Sequence, residues 1–291
     1  MYPWIGYDGR VSPLKLSVFV LLFVPATWIV LGYSFGQLGA RPVNEAIHQT
    51  GLWMIRLLFV SLAITPIRQT VKFPQLIQVR RMIGVAAFVY GTAHLTLYAA
   101  DEMFSLSKVV SEIALRIYLT IGFVALAGLT ALAVTSTDGM VRRLGRRWQW
   151  LHRTIYVIGI LATVHFFMQS KADVSEPIMM AGILGWLVGY RLLSWVAGRG
   201  GHVPVWQVAL LGLVAPALTA LGEAVYFWLK MGVDPARVLA ANLSTFAGVR
   251  PAWIVLALGA AVAVVGMLRP SRARPAGVRP KRTLLREGST T

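Results

Sequence analysis

The chain contains no cysteine. Disulfides, thiolate-ligated iron–sulfur clusters and a thiol relay are therefore excluded. Charge is scarce: 13% of residues are Asp, Glu, Lys or Arg, against roughly a quarter in soluble domains. Acidic residues are scarcer still, 11 against 28 basic. No G-x-G-x-x-G follows a strand pattern, so no nucleotide-binding domain is encoded. The glycines around Gly198, Gly200 and Gly201 match no such motif.

What is present is apolar sequence. Hydrophobic residues make up 57% of the chain and the mean hydropathy is +0.66. Apolar runs of about 20 residues are candidates to cross a membrane. Eight occur: Leu14–Tyr33, His48–Pro66, Met82–Ala100, Ile117–Ser136, His152–Met168, Pro177–Val196, Trp206–Leu229 and Ala252–Leu268. The expected fold class is all-α, a polytopic membrane helix bundle.

The net charge of +17 would suit nucleic acid, but its distribution does not. With both termini cytoplasmic and the spans alternating, 20 basic and three acidic residues fall on the cytoplasmic side. The opposite side carries seven of each, and Arg56 and Glu223 stay within the membrane. The whole excess lies on one side, as the positive-inside rule requires. No nucleic-acid partner is expected; membrane lipid is. A cleaved signal peptide is the competing reading of the first span, with Arg10 and Lys15 as its basic region and Leu38-Gly39-Ala40 as a small-residue site. The apolar stretch Leu16 to Leu31 is long for such a segment.

Composition divides the chain into an N-terminal span (1–36), a core (37–196), a Gly-rich hinge with two further spans (197–268) and a basic tail (269–291). The tail cannot bury a core and reads as a topology and anionic-lipid signal. No internal repeat is visible. Short loops between the second and sixth spans predict antiparallel neighbours. Pro25 is expected to kink the first span and Pro66 to end the second. Gly122, Gly128, Gly159, Gly182, Gly185 and Gly189 allow close helix approach. Trp148, Trp150, Trp195 and Trp206 suit an interfacial belt at the basic face.

Histidine carries the chemistry. An ionisable residue inside a membrane span is a functional candidate by default, and imidazole is a common axial ligand of haem iron. His94 and His165 lie at one depth, roughly 18–20 Å from the cytoplasmic ends of the third and fifth spans at about 1.5 Å per residue. Facing each other, they could clamp a haem. The alternative is a structural histidine bonded to a backbone carbonyl. His152 lies about 20 Å further down the fifth span, where a second haem would fit. However, thirteen residues turn an ideal helix by about 220°, and the third span offers Arg80, Arg81 and Met82 there rather than histidine. His48 opens the second span, as a solvated group or one at the haem edge. His202, in the hinge, is incidental. Arg56 lies within the second span, where a haem propionate, Glu223 or snorkelling would satisfy it.

Two stretches carry a family resemblance. The first is Ile64-Thr65-Pro66, Arg80-Arg81-Met82-Ile83-Gly84 and His94-Leu95-Thr96-Leu97-Tyr98. The second is Thr135-Ser136-Thr137, Arg143-Leu144-Gly145, Trp148, Leu151-His152 and Tyr156. Over roughly residues 37 to 195 the chain resembles the MsrQ (YedZ) family, haem-binding membrane subunits with a ferric-reductase-like domain. The resemblance implies a six-helix ferric-reductase-like core plus two extra C-terminal transmembrane helices. It implies an electron-transfer subunit of the bacterial inner membrane, with haem b (one or two) and FMN as cofactors. His94, His152 and His165 would be the haem histidines. Electrons would come from quinol or a cytosolic flavin reductase and pass to periplasmic MsrP, which reduces methionine sulfoxide in oxidised envelope proteins. A ferric or cupric reductase of the same superfamily, and a non-redox transport or assembly subunit using Arg56 and Glu223 as a charged pair, are the alternatives.

Overall fold

A computed structural model describes residues 3–6, 9–170, 173–198, 203–244 and 248–269. Among them the regular structure is helical, apart from one isolated bridge between Ile5 and Val11. The helices are α1 (Pro13–Leu21), α2 (Val24–Ser34), α3 (Pro42–Thr70), α4 (Ile77–Asp101), α5 (Leu106–Leu115), α6 (Ile117–Val134) and α7 (Asp138–Leu144). They continue as α8 (Arg146–Arg153), α9 (Ile155–Gln169), α10 (Ser175–Val196), α11 (Val205–Met231), α12 (Pro235–Asn242) and α13 (Pro251–Leu268). A 3-10 turn at Pro74–Leu76 leads into α4. Eight segments are long and apolar enough to cross a membrane: Pro13–Ser34, Pro42–Thr70, Pro74–Asp101, Ile117–Val134, Arg146–Gln169, Ser175–Val196, Val205–Met231 and Pro251–Leu268. They coincide in number and order with the eight apolar runs of the sequence. The chain is a multi-pass helical membrane protein.

Helix starts follow local chemistry. Proline opens α1, α3, α12 and α13, where its missing N–H costs nothing. Asp234 caps α12 by accepting from the Ala236 N–H at 2.9 Å. The first span breaks between α1 and α2, as Pro25 predicts, and a side chain completes the break. The Tyr90 hydroxyl accepts from the Ala26 N–H at 2.9 Å and donates to the Leu22 carbonyl at 2.8 Å. It stands where the direct Ala26-to-Leu22 bond of a continuous helix would be, a recognised cause of kinks. Pro66 behaves otherwise than expected. It is buried inside α3, which runs on to Thr70, because packing within a bundle compensates for one missing helix bond.

One hydrophobic cluster runs through α3, α4, α6, α9, α10, α11 and α13, centred on residues such as Leu58, Val79, Ala87, Val208 and Val255. The expected hinge includes residues 199–202, among them His202, which lie outside the described residues, as does the tail from 270. The two spans beyond the hinge share this cluster. Gly182 on α10 faces Thr219 of α11 and Val255 of α13 so closely that no methyl group would fit. The end of α13 meets the end of α3, where Lys72 donates to the Arg269 carbonyl at 3.2 Å and Arg269 donates to the Val71 carbonyl at 3.3 Å. Trp150, Trp195 and Trp206 are exposed near this basic end, in keeping with an interfacial belt.

Candidate paired-histidine site

Two antiparallel helix pairs, α3 with α4 and α6 with α9, build the site. His94 projects from α4 and His165 from α9. Their ring centres lie 6.3 Å apart and their planes are nearly perpendicular, at 85°. His94 Nδ1 lies 2.7 Å from the Ile47 carbonyl on α3. His165 Nδ1 lies 2.8 Å from the Tyr118 carbonyl at the start of α6. A carbonyl only accepts, so Nδ1 carries the proton in both rings. The lone pair is left on Nε2, the nitrogen free to bind a metal. The carbonyl contact expected of a structural histidine is thus present, and it is also the contact that orients a ligating one.

The pair fits haem. An imidazole nitrogen sits about 2 Å from a bound transition metal, so two rings on opposite sides of one ion have centres roughly 6 Å apart. Among the described residues no group of three or more His, Asp or Glu gathers to hold a bare ion. A macrocycle supplies four ligands of its own and needs only two from protein.

The cradle is built twice. Tyr118 follows Ile47, Gly122 follows Gly51 and His165 follows His94 by the same 71 residues. Gly51 lies against the His94 ring and Gly122 against the His165 ring. Leu58 and Leu129, both buried, hold the same offset. The repeat is masked in the sequence by its flanking residues. His48, Gln49 and Thr50 precede Gly51, whereas Leu119, Thr120 and Ile121 precede Gly122. The available signal was a glycine followed by a histidine 43 residues later, twice.

His152, on α8, faces neither of these histidines. Its Nε2 lies 3.1 Å from the Thr135 hydroxyl, and its ring stacks on Trp148 at 4.0 Å. Trp148 donates to the Thr135 carbonyl at 2.9 Å. Arg80 and Arg81 stand within electrostatic reach of His152. Arg80 is likewise within reach of Arg68, Arg191 and Tyr156. Among the described residues, none of Arg68, Arg80 and Arg191 pairs with a carboxylate, and the Arg68 Nε is enclosed without a partner. Three cations from three spans therefore converge at the basic end.

His48 is the seventh residue of α3 rather than the opening of its span. It is exposed, with its ring 6.1 Å from that of Phe166. Arg56 is paired, but not with Glu223. It donates to Glu176, at the start of α10, at 2.8 Å and lies over the Trp53 ring. Glu223 is 1% exposed, accepts from Asn242 at 2.8 Å and faces Arg250 at 3.4 Å. Both partners come from the C-terminal extension, so the Arg56–Glu223 pair anticipated from depth alone does not form. Neither Glu176 nor Arg250 stood out in the sequence, because charges at helix starts read as solvated.

A helical bundle that brings two imidazoles together at one depth, with their planes nearly perpendicular, is what a ferric-reductase-like membrane protein would present. The family described as "Ferric reductase like transmembrane component" matches residues 50–163. The chain belongs to the MsrQ family. It is 43% identical over 198 residues to the protein-methionine-sulfoxide reductase heme-binding subunit MsrQ of Xanthomonas campestris pv. campestris, covering 65% of this chain and 91% of that one. The Rhodospirillum rubrum protein of the same name is 40% identical over 193 residues, covering 65% of this chain and 93% of that one. No solved structure matches the chain.

Proposed function

We propose that the chain is a membrane cytochrome b subunit that carries electrons across the bilayer through haem held between His94 and His165. The facing of these two imidazoles at 6.3 Å is the observation that carries this reading. Haem, held by His94 and His165, would supply reversible one-electron transfer. The protein's own groups do the rest. The Ile47 and Tyr118 carbonyls hold each Nδ1 proton, fix the tautomer and leave the lone pair on Nε2.

The positive-inside rule supports a cytoplasmic basic end, with both termini on that side, and a bacterial inner membrane suits this arrangement. Electrons enter at that end from membrane quinol or a cytosolic flavin reductase. They leave at the periplasmic end to MsrP, which reduces methionine sulfoxide in oxidised envelope proteins. The relatives' names, heme-binding subunits of a protein-methionine-sulfoxide reductase, support haem and the sulfoxide-repair system. Arg68, Arg80 and Arg191 suit the phosphate of FMN at the entry side. His152 belongs to the same side, as a contact for the donor or as a ligand of a second haem. Its engagement by Thr135 and Trp148 favours the donor role. His48 lies at the periplasmic edge of the site, and Arg56, tied to Glu176, braces α3 against α10.

The test is a reduced-minus-oxidised spectrum of the purified protein, joined to sulfoxide repair in cells lacking the chain. A b-type spectrum and chain-dependent repair support the reading. The match to ferric-reductase-like proteins favours a second reading, direct reduction of a ferric or cupric ion at the periplasmic face. A haem signal with metal reduction but no effect on repair would favour that one. A protein free of haem would point to the non-redox transport or assembly alternative.

A further inference from the structure

We infer that Gly51 and Gly122 are positioning residues that set the planes of the two imidazoles at the paired-histidine site. The inference rests on the haem reading above and goes beyond it. A methyl group on Gly51 would stand 2.9 Å from His94 Nδ1 and 3.1 Å from its Cε1. On Gly122 it would stand 2.7 Å from His165 Nδ1, 2.8 Å from Cε1 and 3.0 Å from Cγ. Carbon does not approach a ring atom that closely, so any side chain at either position forces the imidazole to move.

Each glycine lies one helical turn after the carbonyl that its histidine bonds. Gly51 follows Ile47 by four residues and Gly122 follows Tyr118 by four. In an α-helix those two positions share a face. The glycine therefore provides a flat shelf on which the ring lies while Nδ1 reaches the carbonyl beyond. Shelf and carbonyl together leave the ring one orientation about its χ2 bond. Because the two cradles come from different helix pairs, the two orientations are fixed independently, and they settle at 85° to each other.

The cradles are not equal. Gly122 is the tighter shelf. Substitution there should disturb the site more than substitution at Gly51.

Gly182 provides the control. Its neighbours Thr219 and Val255 also leave no room for a methyl group, but it packs α10 against α11 and α13 and touches neither histidine. The experiment compares holoprotein of wild type, Gly51→Ala, Gly122→Ala and Gly182→Ala by EPR of the oxidised form and by haem content. Oxidised low-spin haem reports the angle between its axial imidazole planes, and near-perpendicular planes give a broad feature at low field.

Gly51→Ala and Gly122→Ala should shift that feature, with haem affinity falling on the order of tenfold, the usual effect of disturbing groups that orient a metal ligand. Gly122→Ala should shift it further, and Gly182→Ala should leave it in place. If Gly122→Ala does not accumulate, Gly51→Ala alone decides. Unchanged spectra and haem content in the two cradle variants overturn the inference, as does an equal change in all three. A wild-type protein without a b-type spectrum sinks the haem reading instead, which keeps the two failures apart.

Discussion

His94 and His165 face each other across the bundle at 6.3 Å with their planes at 85°. Each is held by a carbonyl on the preceding antiparallel helix, 47 residues earlier in the chain. The pair needs four helices in one arrangement, so the groups that fix those helices bear on the site.

Tyr90 is one of them. Its hydroxyl bridges Ala26 and Leu22 at the break in the first span. Tyr90→Phe leaves a backbone donor and an acceptor without partners in apolar surroundings. We expect a loss of about 2 kcal/mol, seen as a lower melting temperature in detergent. The haem spectrum should be unchanged, because the lost hydroxyl bonds the backbone of the first span rather than either histidine.

Glu223 is another. Glu223→Gln keeps an acceptor for Asn242 but removes the charge that faces Arg250. Breaking a buried pair from one side costs about 3 kcal/mol. The melting temperature should fall with haem content retained. An equal loss of haem would mean that the extension reaches the site, contrary to the packing seen.

The Arg81–Asp138 pair responds to pH. The hydrogen bond from the Arg81 guanidinium, with its charge, holds the Asp138 carboxyl below the usual carboxylate range. A depressed folded-state pKa contributes stability above the unfolded value, near 4. That contribution is lost as pH falls through the lower folded value. Amide exchange across 138–144 should be slower in wild type than in Asp138→Asn at neutral pH. The two should converge once the pH has fallen below the lowered folded value. A difference that persists in acid would contradict the assignment.

The eight spans were readable because a bilayer demands long apolar runs, and the paired depth of His94 and His165 followed from helix rise. Arg56 shows where that reading stopped. Depth along the sequence suggested Glu223, whereas lateral packing brought Glu176, and a one-dimensional reading has no lateral coordinate. Pro66 failed similarly: its local rule was overridden by burial inside α3. The duplicated cradle escaped because its key acceptors are backbone carbonyls, which no side-chain pattern reveals, and because Gly51 looks like any other small packing residue.

His152 separates entry from ligation. With Nε2 engaged by Thr135 and the ring stacked on Trp148, His152→Ala should leave haem content intact and slow reduction by the donor. Loss of one haem, with the His94–His165 signal retained, would instead make it a ligand of a second haem. No change in either would remove it from the electron path.

The most direct measurement is the reduced-minus-oxidised spectrum, with a haem count, of purified wild type, His94→Ala and His165→Ala. The account requires a b-type spectrum in wild type and loss of most of it in each variant. Full haem retention in both variants would contradict it.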